Sequence, residues 1–123
     1  MKVLLVDDDA DIRLIASIAL RQIGKWEVTT ACSGSEALAK LAEATPDVVI
    51  MDLMMPDLDG LGTLAAIRER PGLTSLPVIF MTAKVRQNEV ERYLAAGARG
   101  VVQKPFDPMQ LATEVRRILQ AAP

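Results

Sequence analysis

A chain of 123 residues with a formal net charge of −2, whose 14 Lys and Arg are scattered along it, carries no basic stripe, and direct nucleic-acid binding is not expected. Its 50% hydrophobic and 24% charged residues describe one globular domain that buries roughly two thirds of its unfolded surface, and with an aromatic share of 3% the core falls to Leu, Ile, Val, Ala and Met. There is no histidine, which excludes Ser-His and Cys-His dyads and imidazole metal sites, so any metal must be held by oxygen.

The first apolar run, Lys2 to Val6, predicts a strand and stops on three carboxylates, Asp7, Asp8 and Asp9. A run so short and so quickly charged fits neither a signal peptide nor a membrane span, and a cytoplasmic protein is expected. A helix is predicted over 10–23, with Gly24 as the left-handed residue that ends it. A strand over 26–31 follows. Cys32, the only cysteine, cannot form an internal disulfide and is expected to pack as a small buried apolar residue. Ser33 with Glu36 makes a capping box for a helix over 35–44.

A strand over 47–51 then delivers Asp52, and a helix is predicted over 61–70. The next strand, 77–82, ends on Thr82, with a helix over 85–96 behind it. The last strand, 100–103, delivers Lys104. Asp107 is placed to cap a helix over 108–120, Pro108 to take its first position, and Phe106 to staple onto Leu111. Leu111, Val115, Ile118 and Leu119 give that helix one apolar stripe. Only residues 120–123 follow, which predicts a single domain with no tether to another.

Five strand-helix pairs in alternation imply an α/β fold, a parallel sheet with helices on both faces. In such doubly wound sheets ligands sit at the carboxyl edge of the strands, beside the switch point. The flavodoxin-like order 2-1-3-4-5 is carried over from sheets of this type; it makes the strands ending in Asp7 and Asp52 neighbours. Carboxylates crowded there repel by about 4 kcal/mol per close pair at an effective dielectric near 20. A hard divalent cation relieves that repulsion, and Mg²⁺ is commonly held by one or two carboxylates, waters and a phosphate oxygen. Asp52 is then the plausible nucleophile for an aspartyl phosphate, with Thr82 and Lys104 meeting the other phosphoryl oxygens as they gain charge. Each residue alone has a plainer role: Asp8 or Asp9 as a helix cap, Thr82 as a strand residue, Asp52 as a turn former, Lys104 as a solvated cation. Their joint placement at four strand ends favours the chemical reading.

Val3 to Asp9, Val49 to Gly60 with Asp52-Leu53-Met54-Met55-Pro56, Met81-Thr82-Ala83 and Val102-Gln103-Lys104-Pro105-Phe106 together resemble the receiver domains of two-component response regulators. The likeness runs from Lys2 to about Leu119. It implies a (βα)5 receiver domain over 1–123 with no output domain present, acting as a phosphorylation-dependent switch and catalysing only its own phosphorylation and slow autodephosphorylation. Asp52 would accept the phosphoryl group from a sensor histidine kinase or phosphotransfer protein. Asp8 would bind Mg²⁺ directly, Asp7 chiefly through water, and the carbonyl of Met54 would add a ligand. Thr82 would be the switch hydroxyl, Lys104 the phosphate-binding lysine, and Lys104-Pro105 a cis peptide. The downstream partner would be a target protein or output domain, met by the face of the fourth helix, fifth strand and fifth helix, which carries Lys84, Arg86, Glu91, Arg92, Arg116 and Arg117.

Two positions depart from the common family pattern. Val101 stands at the switch position where many members carry Tyr or Phe. Met54 and Lys84, two beyond Asp52 and two beyond Thr82, stand where the resemblance implies tuning of phosphoryl lifetime by water access, and an apolar Met54 would shield phosphorus without orienting water, slowing self-hydrolysis. Asp7-Asp8-Asp9 also contains the Asp-x-Asp of haloacid-dehalogenase phosphatases, but Asp11 stands where that family expects Thr or Val. A flavodoxin would want small hydroxyl residues where this chain has carboxylates. A pseudo-receiver would lack one member of the acid, threonine and lysine set.

Overall fold

The computed structural model describes residues 1–121; of the tail expected at 120–123, Gln120 belongs to the last helix and Ala121 caps it, while 122 and 123 lie outside the described residues. Five strands, β1 (Lys2–Val6), β2 (Glu27–Ala31), β3 (Val48–Asp52), β4 (Val78–Thr82) and β5 (Gly100–Gln103), pair in parallel in the order β2-β1-β3-β4-β5. The helices between and after them are α1 (Ala10–Gln22), α2 (Gly34–Glu43), α3 (Gly60–Arg68), α4 (Gln87–Ala95) and α5 (Leu111–Gln120). No described helix is long and apolar enough to cross a membrane.

The strands read as continuous apolar runs because both faces of the sheet are covered, and alternate residues serve opposite cores. Leu4, Val6, Val49, Met51, Val78 and Phe80 face one core with Leu64, Ile67 and Tyr93 from α3 and α4. Val3, Leu5, Ile50, Ile79 and Met81 face the other with Leu20 of α1 and Leu111, Val115 and Ile118 of α5. Each such buried aliphatic side chain contributes about 1.5 to 3 kcal/mol by leaving water.

Helix starts follow the cap chemistry with three corrections. Asp9 caps α1 as expected, accepting from the amides of Asp11 and Ile12. Ser33 caps α2 by accepting from the Glu36 amide at 3.0 Å, but the Glu36 carboxylate reaches the amide of Cys32 and not that of Ser33. This places Cys32 in an exposed turn, its Sγ 3.4 Å from Glu36 Oε2, so the expected burial fails. The fifth helix begins at Leu111, three residues later than predicted, because Asp107 is used in a turn: its carboxylate accepts from Met109 and its carbonyl from Gln110. Phe106 still packs into the same core as Leu111.

The left-handed residue after α1 is Lys25, with φ 61°, and not Gly24. Gly24 is required by space, since a Cβ there would meet the Leu20 carbonyl at 2.6 Å.

Candidate functional site

Three strand ends meet at one edge. Val6 of β1 stands beside Met51 of β3, and Asp52 beside Met81 of β4, so Asp7, Asp52 and Thr82 emerge on adjacent strands. Thr82 pairs with Gln103 of β5, which brings Lys104 to the same edge. The loop from β3 to α3 turns tightly because Gly60 donates its amide to the Leu53 carbonyl at 2.8 Å; a Cβ at Gly60 would lie 2.9 Å from the Asp52 carbonyl oxygen.

Asp7, Asp8 and Asp52 each offer a carboxylate oxygen, and these oxygens all lie within 4.8 Å of one another. Asp7 and Asp52 are buried while Asp8 is exposed. Lys104 Nζ bridges the two buried acids, 2.9 Å from Asp7 Oδ2 and 3.1 Å from Asp52 Oδ1. Asp7 is further fixed by the Asp9 amide on Oδ1 at 2.9 Å and by Arg13, whose Nη1 donates to the Asp7 carbonyl at 2.6 Å. The Met54 amide approaches Asp52 Oδ1 at 3.4 Å.

Burial pushes the Asp52 carboxyl above its ordinary value, and the Asp7 charge pushes the same way; Lys104 and the Met54 amide offset part of this. For Lys104 burial works against the ammonium, but the hydrogen bond and charge of Asp7, with Asp52, outweigh it and the pKa rises. The lysine is thereby held charged between the acids. A set of oxygen donors with no imidazole or thiolate, one acid open to solvent and two behind it, fits a hard cation such as Mg²⁺.

Thr82 is buried, and its Oγ1 accepts from the Lys84 amide at 3.0 Å. The Lys104-Pro105 peptide is cis. Val101 is half-buried against the core that holds Phe80. Met54 projects outward, 59% exposed. Of the proposed readout residues Arg116 points elsewhere: its guanidinium lies 4.9 Å over the Trp26 ring and donates to the Gly24 carbonyl, which ties α5 to the end of α1.

Two contributors escaped the sequence reading. Arg13 was hidden because an arginine on a helix face reads as solvated. Tyr93 is the only tyrosine and the only fully buried residue of α4. Its hydroxyl donates to the Lys84 carbonyl at 3.2 Å, one peptide unit from the amide that Thr82 accepts. An isolated aromatic in an otherwise polar helix was the available signal.

Residues 3–116 match the family model for the response regulator receiver domain. The chain is 42% identical over 119 residues to the probable transcriptional regulator ycf27 of Guillardia theta, covering 97% of this chain and 45% of that protein. It is 40% identical over 119 residues to the probable transcriptional regulatory protein TcrX of Mycobacterium tuberculosis, covering 96% of this chain and 49% of that one. The chain thus spans about half the length of the curated relatives it matches. In structure it is similar to the chemotaxis response regulator CheY4 of Vibrio cholerae, with a TM-score of 0.89, 37% identity, and coverage of 95% of this chain and 97% of that one. Acids, hydroxyl and lysine gathered on one edge of a sheet of order 2-1-3-4-5, together with this match over nearly the whole chain, place the protein in the response regulator receiver domain family of two-component signalling.

Proposed function

We propose that Asp52 is the phosphoryl acceptor of this receiver domain and that its phosphorylation is the switch. The observation that carries the reading is Lys104 Nζ lying between Asp7 and Asp52, with Asp8 completing an acidic cluster open to solvent on one side. A carboxylate oxygen of Asp52 attacks phosphorus, a P–O bond forms, the donor's P–N bond breaks, and its electron pair stays on the imidazole nitrogen. The donor is the phosphohistidine of a sensor kinase or phosphotransfer protein, since this chain has no histidine of its own.

Mg²⁺ held by Asp8 and Asp52, by Asp7 through water and by the Met54 carbonyl would supply positive charge against the phosphoryl oxygens. Lys104 leaves its ion pair with Asp52 to meet a phosphoryl oxygen, and Thr82 turns its hydroxyl to another. The catalysis is alignment and charge neutralisation within the domain's own single turnover, and slow autodephosphorylation resets it.

Ile12 and the exposed Ile15 of α1 line an apolar groove with Ala83, Pro105, Phe106 and Pro108 beside Lys104, which supports a protein as the phosphoryl donor. Residues 1–123 act as one receiver unit in the cytoplasm, and the switched surface meets a target protein or output domain; we assign it no direct contact with nucleic acid. The reading is tested by incubating the protein with acetyl phosphate with and without Mg²⁺ and following the adduct by intact mass. Adduct formation that requires the metal supports it, and equal formation in EDTA contradicts it.

A further inference from the structure

The peptide units around Lys84 are held from two sides. Thr82 Oγ1 accepts the Lys84 amide at 3.0 Å, and the Tyr93 hydroxyl donates to the Lys84 carbonyl at 3.2 Å. Tyr93 is buried, and its ring meets Phe80 of β4 edge to face, with centroids 5.9 Å apart at 79°. Burial pushes the Tyr93 phenol above its ordinary value, and the Thr82 hydroxyl offsets a small part of this. Arg86, at the N-terminus of α4, makes no side-chain cap hydrogen bond, and the Tyr93 hydroxyl reaches back to the loop that leads into this helix.

We propose that Tyr93 is the positioning residue that carries the state of Thr82 to α4, with Lys84 as the hinge between them. This rests on the phosphorylation reading above. When Thr82 turns its hydroxyl toward a phosphoryl oxygen, the Lys84 amide loses its acceptor and the loop from β4 to α4 is released on one side. The carbonyl of the same residue moves with it, and the Tyr93 hydroxyl must follow that carbonyl or give up the bond. Because the ring is edge-packed on Phe80, its displacement moves α4 as well as the loop. Thr82 and α4 are therefore coupled through two hydrogen bonds on one residue, with the single aromatic of α4 as the reporter.

A chain with one tyrosine makes this directly measurable. The full protein is labelled with ring-¹³C tyrosine, treated with Mg²⁺ and acetyl phosphate, and observed by NMR while intact mass gives the phosphorylated fraction. The Tyr93 ring signals are expected to shift in wild type in proportion to that fraction. At equal adduct they stay in place in Thr82→Ala and move again in Thr82→Ser. Unmoved signals in fully phosphorylated wild type overturn the inference while leaving the acceptor role of Asp52 intact. A full shift in phosphorylated Thr82→Ala, or the same shift with Mg²⁺ alone, also overturns it. Absence of any adduct in wild type sinks the phosphorylation reading, and this inference falls with it. Tyr93→Phe, which keeps the ring and removes the hydroxyl, is expected to accept the phosphoryl group within twofold of the wild-type rate while amide exchange in α4 loses its response to phosphorylation.

Discussion

Lys104 Nζ lies 3.1 Å from Asp52 Oδ1, so the ends of β5 and β3 are joined across the strand that separates them, β4. The same ammonium is 2.9 Å from Asp7 on β1's end. One cation thereby holds two buried carboxylates in the metal-free protein, and it must share them when a divalent ion arrives.

Lys104→Ala leaves those carboxylates facing each other without a counter-charge. Because Lys104 is partly open to solvent, the loss of stability without metal is expected to be about 1 to 3 kcal/mol, less than for a fully buried pair. Mg²⁺ should bind about tenfold tighter to this variant, since its competitor is gone, while phosphorylation by acetyl phosphate slows by tenfold or more. Metal titration by calorimetry and adduct formation by mass separate the two effects.

Asp52→Asn has the opposite sign. The folded state raises the Asp52 carboxyl above its ordinary value of 3.8, first by burial and then by repulsion from Asp7. The stability Asp52 contributes is therefore fully present below pH 3.8 and is lost as pH rises through the folded-state pKa. The asparagine variant should melt higher than wild type at pH 7 without metal, by about 4 °C for each kcal/mol recovered, with the difference shrinking toward acid pH. Mg²⁺ should reverse the order by stabilising wild type by about 2.7 kcal/mol at a concentration 100 times its Kd.

Arg68 is a structural clasp. Its Nη1 donates to the carbonyls of Leu73 and Leu76, at 3.1 and 2.7 Å, and its Nη2 to that of Gly97 at 2.9 Å, tying the end of α3 to the approach to β4 and the turn after α4. Arg68→Ala should cost about 2 to 3 kcal/mol, and Arg68→Lys should recover only part, because one ammonium cannot span three acceptors. Thermal unfolding measures both.

The strand ends were legible because a sheet covered on both faces needs continuous apolar runs, and in this chain each functional residue interrupts one. Asp7, Asp52, Thr82 and Lys104 stand at those interruptions, and the strand order follows from the likeness to doubly wound sheets. Local polar chemistry was less legible. Asp107-Pro108 carries a helix-start signal that the backbone uses for a turn, and Glu36 serves Cys32 where a capping box would serve Ser33. Tyr93 and Arg116 act through contacts made across elements, Tyr93 with Lys84 and Arg116 with Trp26, and no local pattern encodes such partners.

Met54 projects its side chain into solvent beside the acceptor, 59% exposed, while its amide approaches Asp52. An apolar side chain can close over a phosphoryl group on Asp52 but offers no group to hold a water in line for attack. Met54→Asn should speed loss of the phosphoryl group about fivefold, equivalent to ~1 kcal/mol in the barrier. Decay of the adduct after removal of acetyl phosphate checks this, and an unchanged rate would contradict it.

The acceptor role of Asp52 is tested most directly by intact mass after incubation with Mg²⁺ and acetyl phosphate, wild type beside Asp52→Asn. The account predicts one added phosphoryl group on wild type and none on the variant. An equal adduct on both proteins, or none on a folded wild type that binds Mg²⁺, would contradict it.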